Sequence, residues 1–136
     1  MGENHFEEIE HTADWALHIR AKDFEGLLRN AALGMLELMG IAGDEVGVRE
    51  RKIEVEGIDR ETLLVSWLEE VLYVVERYGV GIGSIELYVS KDTHLVATIN
   101  EIPSIIPKKE IKAVTYHGLN ISETEHGLEA TIVFDV

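Results

Sequence analysis

Cysteine does not occur in the 136-residue sequence. The chain therefore has no disulfide, no thiolate nucleophile and no zinc–thiolate site, and any metal must be bound by carboxylates, carbonyls or imidazoles. Proline occurs only twice and no tract is repetitive, which argues against a disordered or fibrous protein. No stretch approaches the roughly 18 apolar residues of a membrane-spanning helix. The acidic N-terminus lacks the apolar core of a secretory signal, so we expect a cytoplasmic protein.

Basic residues are also scarce. Lys and Arg total 12 against 26 Asp and Glu, which gives a formal net charge of −14 at pH 7. Such a surface repels nucleic acid, because phosphate binding depends on Lys and Arg. We expect a basic protein surface or divalent cations as partners. Solubility alone explains the charge equally well.

Two segments have the apolar spacing of amphipathic helices. Residues 24–39 carry apolar side chains three and four positions apart, and residues 63–75 repeat the pattern. Polar residues that can accept free N–H groups precede each segment, and glycines that tolerate a left-handed conformation follow it. The caps expected from this arrangement are Asp23 with Gly40 for the first helix and Asp59 with Gly79 for the second.

Alternating apolar and polar residues predict strands around these helices. Consecutive strands joined as hairpins, with few strands between the helices, indicate an α+β fold rather than a parallel doubly wound sheet. We therefore predict a single domain over 1–136, in which two amphipathic helices pack on a mainly antiparallel or mixed sheet as a two-layer sandwich. The expected strands are 6–10, 16–21, 48–57, 85–90, 95–102, 113–119 and 128–136.

Two acidic positions are candidates for metal binding. Asp135 lies on the face of the last strand that is opposite to its apolar residues, and the carboxylate of Val136 adjoins it. Two like charges held this close are unfavourable unless a cation lies between them, and hard oxygen ligands favour Ca²⁺ or Mg²⁺, with Mn²⁺ as a further option. A frayed, solvated strand end is the competing interpretation. Asp14 stands in a polar segment at 10–15, where spacing alone favours a turn-forming Asp over a ligand.

Other motifs give weaker indications. Lys108, Lys109 and Lys112 form the one basic cluster of the sequence, which could contact RNA or an acidic partner but is more often a solvated surface. The glycines at 79, 81 and 83 follow a helix and precede a strand, whereas a phosphate-binding loop connects a strand to a helix. No nucleophile elbow, His-Glu-x-x-His motif or recognisable acid–base pair is present, so enzyme templates fit poorly.

Four ordered motifs resemble those of the archease family. They are the His-Thr-Ala-Asp sequence at 11–14, the Trp-Leu-Glu-Glu-Val-Leu-Tyr sequence at 67–73, the Lys-Ala-Val-Thr-Tyr-His sequence at 112–117 and the Phe-Asp-Val sequence at 134–136. The resemblance extends from about residue 6 to residue 136. Four motifs in the right order are far more specific than any one of them.

The resemblance implies a non-enzymatic helper of RtcB-type RNA ligases, which join tRNA exon halves after splicing and repair broken RNA. Archeases promote the metal-dependent guanylylation of an active-site His in the ligase, restore its turnover and relax its nucleotide choice. The family binds a divalent metal through an Asp in the N-terminal motif and an Asp–hydrophobic pair at the C-terminus. Carried over to this chain, the ligands are Asp14, Asp135 and the carboxylate of Val136, with calcium as the expected ion and Mg²⁺ or Mn²⁺ as alternatives.

Two functions of other classes stay open. A metal-dependent phosphoester hydrolase could use Asp14 and Asp135, and it would turn over its substrate with no ligase present. A chaperone or RNA-binding module could act through residues 108–112, and its RNA binding would fall steeply with salt.

Overall fold

The computed structural model describes residues 6–10, 14–43, 47–103 and 106–136. Two helices form where the sequence predicts them, α1 over Phe24–Met39 and α2 over Arg60–Tyr78. Neither helix in this part of the chain combines the length and the apolar character needed to cross a membrane.

Both helices begin and end at the predicted caps. The Asp23 carboxylate accepts a hydrogen bond from an N–H in the first turn of α1, and Asp59 does the same in α2, where the side chain of Thr62 completes a capping box. The N–H of Thr62 donates to the Asp59 carboxylate at 2.8 Å, which holds the pKa of Asp59 below its usual value. The C-cap residues Gly40 and Gly79 have φ angles of 75° and 62°, which glycine adopts without steric cost.

The described residues form eight strands in two antiparallel sheets. In chain order the strands are β1 (Phe6–Glu10), β2 (Asp14–Ala21), β3 (Arg49–Glu56), β4 (Gly81–Ser90), β5 (His94–Ile102), β6 (Ala113–Thr115), β7 (Ser122–Thr124) and β8 (Gly127–Asp135). The larger sheet has the order β1-β2-β8-β6, and β7 also pairs with β8. The smaller sheet has the order β3-β5-β4. Each helix contacts strands of both sheets, so the helices connect the two sheets.

The pairing of β2 with β8 organises the larger sheet. The two strands are antiparallel and pair along the whole of β2, from Asp14 opposite Asp135 to Ala21 opposite Leu128. On its other side, β8 pairs with β7 near its first residues and with β6 near its last residues. The strand that comes last in the sequence therefore lies inside the sheet.

Apolar side chains from both helices and both sheets form one core. In β8 the apolar residues alternate with the exposed and half-buried ones, as the sequence predicts. The indole N–H of the fully buried Trp67 donates to the carbonyl oxygen of Leu28 at 2.9 Å, so its polar atom is satisfied and α2 is tied to α1. The largest fully buried side chains include Trp67, Phe134, Leu17, Ile19, Leu27 and Leu28.

One charged residue of the described chain is buried. Glu101 is 3% exposed, and its carboxylate pairs with the guanidinium of Arg51. Hydrogen bonding to Glu101 raises the pKa of Arg51, whose guanidinium also lies 3.9 Å from the ring centroid of Tyr78. The ion pair compensates for the desolvation of Glu101 and joins β3 to β5 within the smaller sheet. The contact between Arg51 and Tyr78 connects the end of α2 to this sheet.

The α+β class is confirmed, although the strands form two sheets instead of the one expected. Strand patterns identify a buried face but do not identify the neighbouring strand, so the division was not visible in the sequence. β4 begins at Gly81 rather than at 85. Its register shifts between Ile82 and Ser84, and the intervening Gly83 suits such an irregularity.

The segment before β8 also differs from the prediction. β6 ends at Thr115 instead of 119, because the chain turns there and the N–H of Leu119 donates to the carbonyl oxygen of Tyr116 at 3.0 Å. Residues Ser122–Thr124, expected in a loop, form β7. These polar residues show no apolar alternation that would predict a strand. They form one because their backbone pairs with that of β8, rather than because they bury side chains.

Leu28→Ala is expected to lower the free energy of unfolding by about 2–5 kcal/mol, because Leu28 is fully buried in the core and its truncation leaves a cavity. Urea denaturation followed by circular dichroism measures the change. Ile106→Ala is the matched control, since that side chain is 87% exposed and its truncation should change stability by less than about 0.5 kcal/mol. Equal effects of the two substitutions would contradict the placement of Leu28 in the core.

Candidate metal centre

The larger sheet brings two acidic positions together at one end. β2 begins at Asp14 and β8 ends at Asp135, and the backbone register places these two residues directly opposite each other. Residues paired in this way have Cβ atoms roughly 4.5–5.5 Å apart and belong to the same face of the sheet. This end of the sheet, defined by Asp14 and Asp135, is the carboxylate end. Asp14 thus starts a strand and does not occupy the turn that the sequence favoured.

The last residues of β8 are held by hydrogen bonds on both sides. Asp135 pairs with Asp14 in β2 and with Ala113 in β6, and its carbonyl oxygen accepts a hydrogen bond from the N–H of Lys112 at 2.8 Å. Its side chain is exposed, on the face opposite to the buried Phe134. Such pairing argues against the frayed strand end that was the competing interpretation.

The third predicted ligand follows immediately. Val136 lies just beyond the end of β8, so its carboxylate is one residue from Asp135. The residue is 36% exposed. The strand was expected to include Val136, and it stops one residue earlier. The side chain of Asp14 and the preceding residues 11–13 lie outside the described part of the structure.

The donor set at the carboxylate end fits a hard divalent cation. Two aspartates on paired strands and a neighbouring carboxylate offer only oxygen, the ligand that Ca²⁺, Mg²⁺ and Mn²⁺ accept. Among the described side chains, no group of three or more His, Cys, Asp or Glu is arranged to bind a metal. These described side chains include neither the side chain of Asp14 nor the carboxylate of Val136. The candidate centre therefore rests on the register of β2 and β8 and on the chemistry of the oxygen donors.

The basic cluster lies beside the carboxylate end. The ammonium nitrogen of Lys109 is 3.1 Å from the ring centroid of Trp15, the residue after Asp14. The N–H of Lys108 donates to the carbonyl oxygen at the end of α1, and its side chain covers Gly40. Nothing in the local sequence predicts this proximity, because it depends on the pairing of β6 with β8.

A groove of about 960 Å³ lies at the opposite end of β2. Its walls carry both signs of charge, and it includes neither Asp14 nor Asp135. It therefore has no part in the candidate metal centre. The charged residues in its lining are Arg20, Lys22, Asp23 and Glu129.

The fold and the paired acidic positions define a small α+β protein with a candidate cation site at the end of its larger sheet. The model of the Archease protein family matches residues 6–136. Curated proteins named archease are similar over nearly their whole length. One from Saccharolobus islandicus is 32% identical, with 96% of this chain and 98% of the relative covered, and one from Methanosarcina barkeri is 30% identical, with 96% and 95% covered. The chain therefore belongs to the archease family.

Solved structures agree with this assignment. The solution structure of protein 1598 of Methanobacterium thermoautotrophicum is 27% identical, with a TM-score of 0.77 and coverage of 98% of this chain and 100% of that chain. A crystal structure of an archease from Thermotoga maritima, described as a possible chaperone, is 25% identical, with a TM-score of 0.69 and 94% of both chains covered. The α+β fold is thus that of archease structures.

Asp14→Ala is expected to abolish Ca²⁺ binding while the free energy of unfolding in EDTA stays within about 0.5 kcal/mol of that of the unsubstituted protein. The physical reason is that the β2–β8 hydrogen bonds come from the backbone, which the substitution leaves in place, and that removing one of several neighbouring negative charges reduces their mutual repulsion. Isothermal titration calorimetry measures Ca²⁺ binding, and urea denaturation in EDTA measures the free energy of unfolding.

Glu86→Ala is the matched control, because Glu86 is an exposed acidic residue on the smaller sheet. It should leave Ca²⁺ binding unchanged. A large loss of stability for Asp14→Ala in EDTA would show instead that Asp14 has a structural role.

Proposed function

We propose that this protein activates an RtcB-type RNA ligase by promoting its guanylylation and turnover, in tRNA splicing and RNA repair in the cytoplasm. It acts as an accessory protein and not as an enzyme. The carboxylate end binds a divalent cation, with Asp14, Asp135 and the carboxylate of Val136 as ligands. Calcium is the expected ion, and Mg²⁺ or Mn²⁺ could replace it.

The observation that carries the proposal is the register of β2 and β8. It pairs the acidic residue of the N-terminal motif with that of the C-terminal motif, although the two motifs stand at opposite ends of the sequence. Archease membership supports the ligase as partner, since the motif resemblance and the family match cover the same span of the chain.

Electrostatics supports a protein partner rather than RNA. The net charge of −14 favours contact with a basic surface, such as one that binds RNA and nucleotides. A bound divalent cation would supply positive charge at the carboxylate end that can attract phosphate oxygens. The residues of this chain hold that cation and present it, because Asp135 and Val136 are exposed.

The RNA-binding alternative through residues 108–112 has weaker support. The side chain of Lys108 lies against Gly40, and the ammonium group of Lys109 lies over Trp15. Two of the three lysines thus already contact this protein's own surface. The hydrolase alternative stays testable through the same carboxylates.

The test is the rate of ligase guanylylation with and without this protein. We expect stimulation by N-terminally tagged protein and its loss in C-terminally extended protein, because an extension turns the Val136 carboxylate into a neutral amide and adds bulk at the carboxylate end. Deletion of Val136 should have the same effect, since it moves the last carboxylate back by about 3.3 Å and to the other face of the strand.

Melting temperatures of all variants control for folding, and nuclease and phosphatase assays without ligase control for hydrolysis. Equal stimulation by N-tagged and C-tagged protein would remove Val136 from the proposed site. Turnover of phosphoesters without ligase, lost in Asp14→Ala, would favour the hydrolase instead.

A further inference from the structure

We propose that Lys109 and Trp15 form a positioning pair that fixes the start of β2 and thereby sets the geometry of the cation site. The inference rests on the proposed metal centre, which assigns no role to either residue. Lys109 is a positioning residue here, and it is not a ligand or a nucleic-acid contact.

The segment from Lys108 to Ala113 is attached at several points, one of which is at the carboxylate end. The N–H of Lys108 donates to the carbonyl oxygen of Met39 at 2.8 Å, and Ile111 is fully buried in the core. The N–H of Lys112 donates to the carbonyl oxygen of Asp135. The segment is therefore a fixed support rather than a free loop.

Lys109 extends this support to β2. Its ammonium nitrogen lies 3.1 Å from the ring centroid of Trp15, whose side chain packs against the core and whose backbone pairs with that of the buried Phe134. A cation over an indole ring is a favourable contact, and indole is the best ring for it. The segment thus contacts the residue next to Asp14 and bonds to Asp135, so it connects the two strand ends that carry the acidic ligands.

A positioning role of Lys109 and a purely electrostatic role predict opposite changes in cation affinity when its charge is removed. An ammonium group near a cation site repels the cation, so removing the charge should tighten binding if the charge acted alone. If the pair positions Asp14, losing the contact should weaken binding, because ligands that are not held in place must be ordered when the ion binds. Replacing Trp15 removes the contact without changing the charge, so it separates the two effects.

The experiment measures Ca²⁺ and Mn²⁺ affinities by isothermal titration. Trp15→Leu should weaken binding by about three- to tenfold, the loss expected from one cation–π contact. Lys109→Arg should stay within about twofold of the unsubstituted protein, because a guanidinium makes the same contact.

Two controls keep the test specific. Lys22→Met removes the same charge at the far end of β2, about 26 Å from Asp14 along the strand, and should leave both affinities unchanged. Melting in EDTA identifies any variant that fails to fold, and if Trp15→Leu fails, Lys109→Met alone should weaken binding and Lys109→Arg restore it.

The outcomes separate this inference from the proposed function. Unchanged affinity in folded Trp15→Leu, or tighter binding in Lys109→Met with no effect of Trp15→Leu, would overturn the positioning role and leave the metal centre intact. Failure of the unsubstituted protein to bind either ion, or binding unaffected by Asp14→Ala, would overturn the metal centre and this inference with it.

Discussion

The antiparallel pairing of β2 with β8 is the constraint on which the rest of the structure depends. It fixes which side chains of both strands face the helices, because a shift of one residue would turn every side chain to the other face. It also provides β8 with the position from which β6 and β7 pair on its other side. The candidate cation site follows from the same register, since Asp14 and Asp135 are its terminal pair. Core and site therefore share one set of backbone hydrogen bonds.

Local signals explain why the helices could be predicted. The caps at Asp23 and Asp59 and the glycines after each helix act within one turn, and their sequence spacing carries the whole signal. The alternation in β8 was equally visible. The division into two sheets could not be predicted, because strands pair with partners that are distant in the sequence. The short β7 could not be predicted either, because a polar strand has no apolar alternation.

The candidate site could likewise be predicted only in part from the sequence. The exposed position of Asp135 could be inferred from alternation, whereas spacing favoured a turn for Asp14, and only the family resemblance joined the two. The contact between Lys109 and Trp15 had no signal in the sequence, since a lysine in a loop looks the same whether or not a distant indole lies beneath it. Without that resemblance, only the strand register reveals that acidic residues from opposite ends of the chain lie opposite each other.

The internal position of β8 has a consequence for synthesis. During translation β1 and β2 emerge first, but the second edge of β2 has no partner until β8 has been made. Its unpaired backbone groups and the apolar face of the helices are then open to other chains, which is the condition under which nascent proteins aggregate. The larger sheet must therefore be completed after the ribosome has delivered the last strand. Any message truncated before β8 would yield a chain that lacks the middle of this sheet rather than one of its edges.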